Sequence, residues 1–69
     1  MNQPTFARIV RRALDAHQLG KLAIEAQIDT TGKSNSEIRE AIIRADGNGL
    51  GSHSASIRNS LMEFLKTVI

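Results

Sequence analysis

Arg8, Arg11 and Arg12 all come before the first acidic residue, Asp15. A guanidinium stays charged at any physiological pH, and its fork of N–H donors matches the oxygens of a phosphate. A helix that carries three of them on one side has the chemistry to lie along a nucleic-acid backbone. The plainer alternative is a basic helix face in contact only with water.

Other chemistries are harder to assemble from this chain. Gly32-Lys33-Ser34 is the tail of a phosphate-binding P-loop, but Gln27 stands where the first glycine is required and no strand precedes it. The triplet reads as a helix-capping turn. Gly47-x-Gly49-x-Gly51 lacks the strand and the spacing of a dinucleotide fingerprint, and reads as a flexible linker. His17 and His53 are far apart and have no cysteine for company, so no metal site is expected. Ser52, Ser54, Ser56 and Ser60 surround His53 without a carboxylate to orient it, and a chain this short can hardly build an oxyanion scaffold. No enzyme activity and no cofactor are expected.

Any binding residues must be held in place by helices. From Thr5 onward, Phe6, Ile9, Val10, Ala13 and Leu14 form an apolar stripe with the three arginines and Asp15 opposite. Leu19, Leu22, Ala23 and Ala26 share a second face, which would point the other way on one unbroken helix. A break is therefore expected within residues 15–20, where His17 and Gly20 are weak helix formers. Ile24 and Ile28 leave that second face, which suggests an element sandwiched between neighbours. Residues 29–35 are a turn by composition, and Ser34 with Glu37 fits a capping box. The next helix carries Ile38, Ala41, Ile42 and Ala45 on one face, with Ile43 off it, and Asp46-Gly47-Asn48-Gly49 ends it. The last stretch spaces Ile57, Leu61, Phe64, Leu65 and Val68 along one helical face, with Ser52 or Ser54 as N-cap. The expectation is one all-α domain over residues 1–69. It would be a small bundle of three to four short helices, near 5–16, 19–28, 35–46 and 54–68, with an amphipathic C-terminal helix across the others.

Composition sets the limits. At 41% hydrophobic and 23% charged residues the 69-residue chain is too apolar to be disordered. Phe6 and Phe64 are its only aromatic residues, too few for the stacking platforms of single-strand binders. The net charge is only +2, and the pI of 9.7 reflects lysine and arginine titrating late. A domain of this size buries only about 60% of its unfolded-chain surface. With no cysteine to supply a disulfide, self-association is expected to help. No apolar run approaches a membrane span and no signal-peptide core is present, so a cytoplasmic location is expected.

One stretch resembles a known family. Thr31-Gly32-Lys33-Ser34-Asn35-Ser36-Glu37-Ile38-Arg39-Glu40-Ala41-Ile42 is similar to the inter-helix turn and second helix of ribbon-helix-helix repressors. In that family the second helix start contacts phosphate, and a paired N-terminal strand of the dimer reads the major groove. The resemblance implies phosphate contacts from Lys33, Ser34 and Asn35, with Ile38 and Ile42 in a dimer core. It departs from the family's pattern between Glu37 and Arg39, at Gln27, and above all in Thr5 to Arg12, which reads as helix rather than strand. The leading expectation is a homodimeric transcriptional regulator that binds double-stranded DNA through Arg8, Arg11, Arg12, Lys33, Ser34 and Asn35. The alternative is a helical protein–protein interaction module that uses Ile43, Met62 and Ile69.

Overall fold

The computed structural model describes residues 1–67. Each of the first three helices is bounded by side chains that satisfy its open end. Helix α1 (Gln3–Arg12) starts at Asn2, whose Oδ1 accepts from the Thr5 N–H at 3.0 Å, and Pro4 sits in the first turn, where a missing N–H loses nothing. Helix α2 (Ala16–Glu25) opens on a reciprocal box. The Gln18 N–H donates to Asp15 Oδ1 at 2.8 Å, and the Asp15 N–H donates to Gln18 Oε1 at 3.0 Å. Helix α3 (Asn35–Asp46) has the expected Ser34–Glu37 box and ends on left-handed Gly47. Helix α4 (Ser54–Thr67) follows a short 3₁₀ turn, Gly47–Gly49.

The all-α class and the four helices match the expectation, and several boundaries move. The break between the first two helices lies at residues 13–15, because the Asp15 cap starts α2 early enough to carry His17 and Gly20 inside it. Capping outweighs the weak helix propensity of those two residues. Helix α2 ends before residue 28: Gln27 takes a left-handed φ of 56°, and the Ile28 N–H turns back to the Ala23 carbonyl. At the last helix, Ser54 lies within α4 instead of capping it, and its hydroxyl points to Asp46.

The core joins all four helices. Phe6 and Val10 come from α1, Leu19, Leu22 and Ala23 from α2, Ile38 and Ile42 from α3, and Ile57 and Leu61 from α4, with Leu14 and Ala26 from the links. Each large side chain buried this way stabilises the fold by about 1.5–3 kcal/mol before entropy is counted. Phe64, Leu65, Ile9, Ile28 and Ile43 seal the edges. Val68 and Ile69 lie outside the described residues. Helix α2 buries one side only, because Ile24 is 75% exposed and is not sandwiched.

Two arginine contacts show how α1 runs against α3. Arg11, near the end of α1, pairs with Glu40 in the first half of α3, while Arg58 joins Met1 and Gln3 to Asp46 at the end of α3. The two helices are therefore antiparallel. The accessible surface, 4457 Å², is close to the roughly 4,200 Å² expected of a folded monomer of this mass. Among the described residues no helix is long and apolar enough to cross a membrane.

Candidate nucleic-acid interface

The three N-terminal arginines share one side of α1. Arg8, Arg11 and Arg12 line an open groove along it with Pro4 and Ala7, and among the described residues no carboxylate lines that groove. Their common side follows from the helix period, since Phe6 and Val10 turn the opposite side into the core. Arg8 and Arg12 are exposed and have no ion-pair partner among the described residues.

Arg11 is engaged. Its Nε donates to Glu40 Oε2 at 2.9 Å and its Nη2 to Glu40 Oε1 at 2.8 Å, a two-pronged grip. Those hydrogen bonds hold the Glu40 carboxyl below its ordinary pKa and raise that of Arg11. Both side chains stay about half exposed, at 50% and 49%. Arg44 stands one turn further along α3 and its Nε donates to the Glu40 carbonyl at 3.5 Å.

The second basic stretch is more committed. Lys33 folds back, its Nζ donating to the Asp29 carbonyl at 2.6 Å, while the Thr31 N–H donates to Asp29 Oδ1 at 2.9 Å. The Thr31 hydrogen bonds draw the Asp29 carboxyl below its usual range. Ser34 Oγ accepts from the Glu37 N–H at 3.3 Å and donates to Glu37 Oε1 at 3.2 Å. The positive end of α3 therefore already faces a carboxylate. Asn35 is exposed on the first turn. Because α1 and α3 are antiparallel, the arginine-bearing end of α1 lies alongside the first half of α3. The segment where the ribbon-helix-helix pattern would need its strand is α1, and no strand occurs among the described residues.

A third cluster was not visible in the sequence. Asp46 is fully buried and accepts four hydrogen bonds: from Arg58 Nε at 2.8 Å, Arg58 Nη2 at 2.7 Å, Ser54 Oγ at 2.6 Å and the Gly49 N–H at 3.0 Å. Arg58 hydrogen bonding, above all, holds its carboxyl below the ordinary value. The same guanidinium lies 5.1 Å from the Phe6 ring centre and donates to the Met1 carbonyl. The glycines expected to form a flexible linker are instead folded around Asp46. Gly47, Asn48 and Gly49 all take left-handed φ, and a Cβ on Gly51 would sit 2.0 Å from the Ala45 carbonyl oxygen. This node spans α1, α3 and α4 and uses up its own charges, so its role is architectural. Among the described residues no three acidic or histidine side chains gather as metal ligands.

No protein-family model, curated protein or solved structure matches this chain.

Proposed function

We propose that the chain is a small, non-catalytic DNA-binding transcriptional regulator that acts as a homodimer and holds duplex DNA mainly through phosphate contacts. The observation that carries this reading is the α1 groove, where Arg8 and Arg12 stand exposed and unpaired beside Arg11. Unpaired surface guanidinium groups gain most from a polyanion, because no internal partner has to be given up. Lys33, Ser34 and Asn35 rank second, since Glu37 already occupies the start of α3.

Fluorescence anisotropy on a labelled mixed-sequence duplex at low salt tests the reading. Three arginine–phosphate contacts from each protomer of the dimer predict that log affinity falls against log salt with a slope of about −5. Replacing Arg8, Arg11 and Arg12 together by alanine should abolish most of the binding and flatten that slope. No binding at low salt removes the reading, and unchanged binding by the triple variant removes the site.

A second reading is favoured by one observation. Ile24, Leu50 and Met62 are 75%, 89% and 45% exposed, so a helical module that binds protein has apolar anchors to offer. Of the residues first expected for this role, Met62 is exposed, Ile43 is packed at the core edge, and Ile69 lies outside the described residues. Pull-down at low and high salt, with light scattering of the protein alone as the baseline for self-association, separates the two readings: a partner held at high salt is a protein bound by apolar contact, since screening weakens phosphate contacts and not hydrophobic burial.

A further inference from the structure

Resting on the DNA-binding reading above, we propose that Glu40 is an exchangeable stand-in for phosphate. It holds Arg11 in the free protein and releases it to a backbone phosphate when duplex DNA docks along α1.

Three features of the site lead there. The first is shape. Two carboxylate oxygens take Nε and Nη2 of Arg11 at 2.9 and 2.8 Å, the same fork a phosphate would fill with two of its oxygens. The second is setting. At 50% and 49% exposure the pair lies in water, where ion pairs of this kind add little and open readily. The third is position. Arg11 lines the same groove as the unpaired Arg8 and Arg12, so a phosphate row that meets those two passes Arg11 as well.

The released carboxylate also has somewhere to go. Arg44 is four residues beyond Glu40 on the same helix, the favourable order for an acidic–basic pair, and its guanidinium already lies against the Glu40 backbone. Glu40 would exchange one arginine for another as Arg11 turns to DNA. The site would then discriminate by charge density: a single carboxylate on a competitor offers Arg11 nothing that Glu40 does not, whereas a polyphosphate backbone engages all three arginines together.

The test is anisotropy titration of the labelled mixed-sequence duplex with wild type, Glu40→Gln and Glu63→Gln, with thermal melting of each variant to confirm folding. Glu63 sits on α4 paired with Lys66 and provides the same charge change away from the groove. The expected result is about 2- to 5-fold tighter binding for Glu40→Gln, the range set by the small worth of an exposed pair, and a clearly smaller change for Glu63→Gln. Weaker binding by Glu40→Gln would make Glu40 a positioning group and overturn the exchange. So would equal affinity, or tightening by Glu63→Gln of the same size. In each of those cases wild type still binds, so the DNA reading stands. Absence of binding by wild type and both variants removes the DNA reading and the exchange with it.

Discussion

Arg58–Asp46 and Arg11–Glu40 are the same chemical pair in two settings. In each, Nε and Nη2 of one arginine grip the two oxygens of one carboxylate, at 2.8 and 2.7 Å in the first and 2.9 and 2.8 Å in the second. Distance does not tell them apart; surroundings do. Asp46 is closed off from water and takes two further donors, and Arg58 is held by a ring face and by the start of α1. Glu40 and Arg11 stand half in solvent, and among the described residues no other side chain hydrogen-bonds the Glu40 carboxylate. A buried pair that loses one member strands the other's charge, whereas an exposed pair hands it back to water. The first pair therefore belongs to the fold, and the second contributes little to it.

The largest expected effect separates them directly. Asp46→Ala leaves Arg58 facing a void and frees the Gly47–Gly49 turn, and should lower unfolding stability by about 3–5 kcal/mol in urea titration. Glu40→Ala should leave the urea midpoint nearly where it was. Equal losses, of either size, would break the comparison.

Acid provides the next test. Asp46 has its pKa lowered in the folded state, chiefly by Arg58. Its contribution is therefore whole above the unfolded value of about 3.9 and is lost as pH falls through the lower folded value. Glu40 is lowered in the same direction by Arg11. Urea midpoints followed from about pH 6 down to about pH 2 should fall steeply for wild type in that acid range. Asp46→Asn should start lower and flatten that fall, and Glu40→Gln should barely change it. If the two variants flatten the profile equally, burial is not what distinguishes the pairs.

How much of this could be read in advance follows the range of each interaction. The apolar stripes Phe6–Val10, Leu19–Leu22–Ala23 and Ile57–Leu61 are set by local period, and all of them are buried. The Ser34–Glu37 box is legible for the same reason, with both partners inside four residues. Asp15–Gln18 is equally local, but it competes with the weak helix propensities of His17 and Gly20, which point to a later start for α2. The two arginine–carboxylate pairs span twelve and twenty-nine residues. Nothing in a single chain marks such partners until the helices are placed. Asp46 read as part of a glycine-rich stop because its buried role depends on Ser54 and Arg58 from the next helix. The sequence puts Arg11 on a basic face without marking its partner, because Glu40 is brought to it only by the antiparallel run of α1 and α3.

Arg39 supplies the third setting, a guanidinium with no carboxylate partner among the described residues. Its Nε is enclosed with no hydrogen-bond partner, while the residue as a whole is only half buried at the edge of α3. An enclosed N–H without an acceptor loses its water and gains nothing in return, a deficit that removal of the group relieves. Methionine keeps an unbranched side chain of similar reach and discards the stranded donor. Arg39→Met should therefore hold stability level or raise it by up to about 1 kcal/mol. That contrasts with Asp46→Ala, although both variants remove one charged group from α3. A loss instead of a gain in urea titration would mean that the Arg39 Nε finds an acceptor in solution. The rule drawn from the two pairs, that a buried charge stabilises only when its partners are in place, would then have to count that acceptor too.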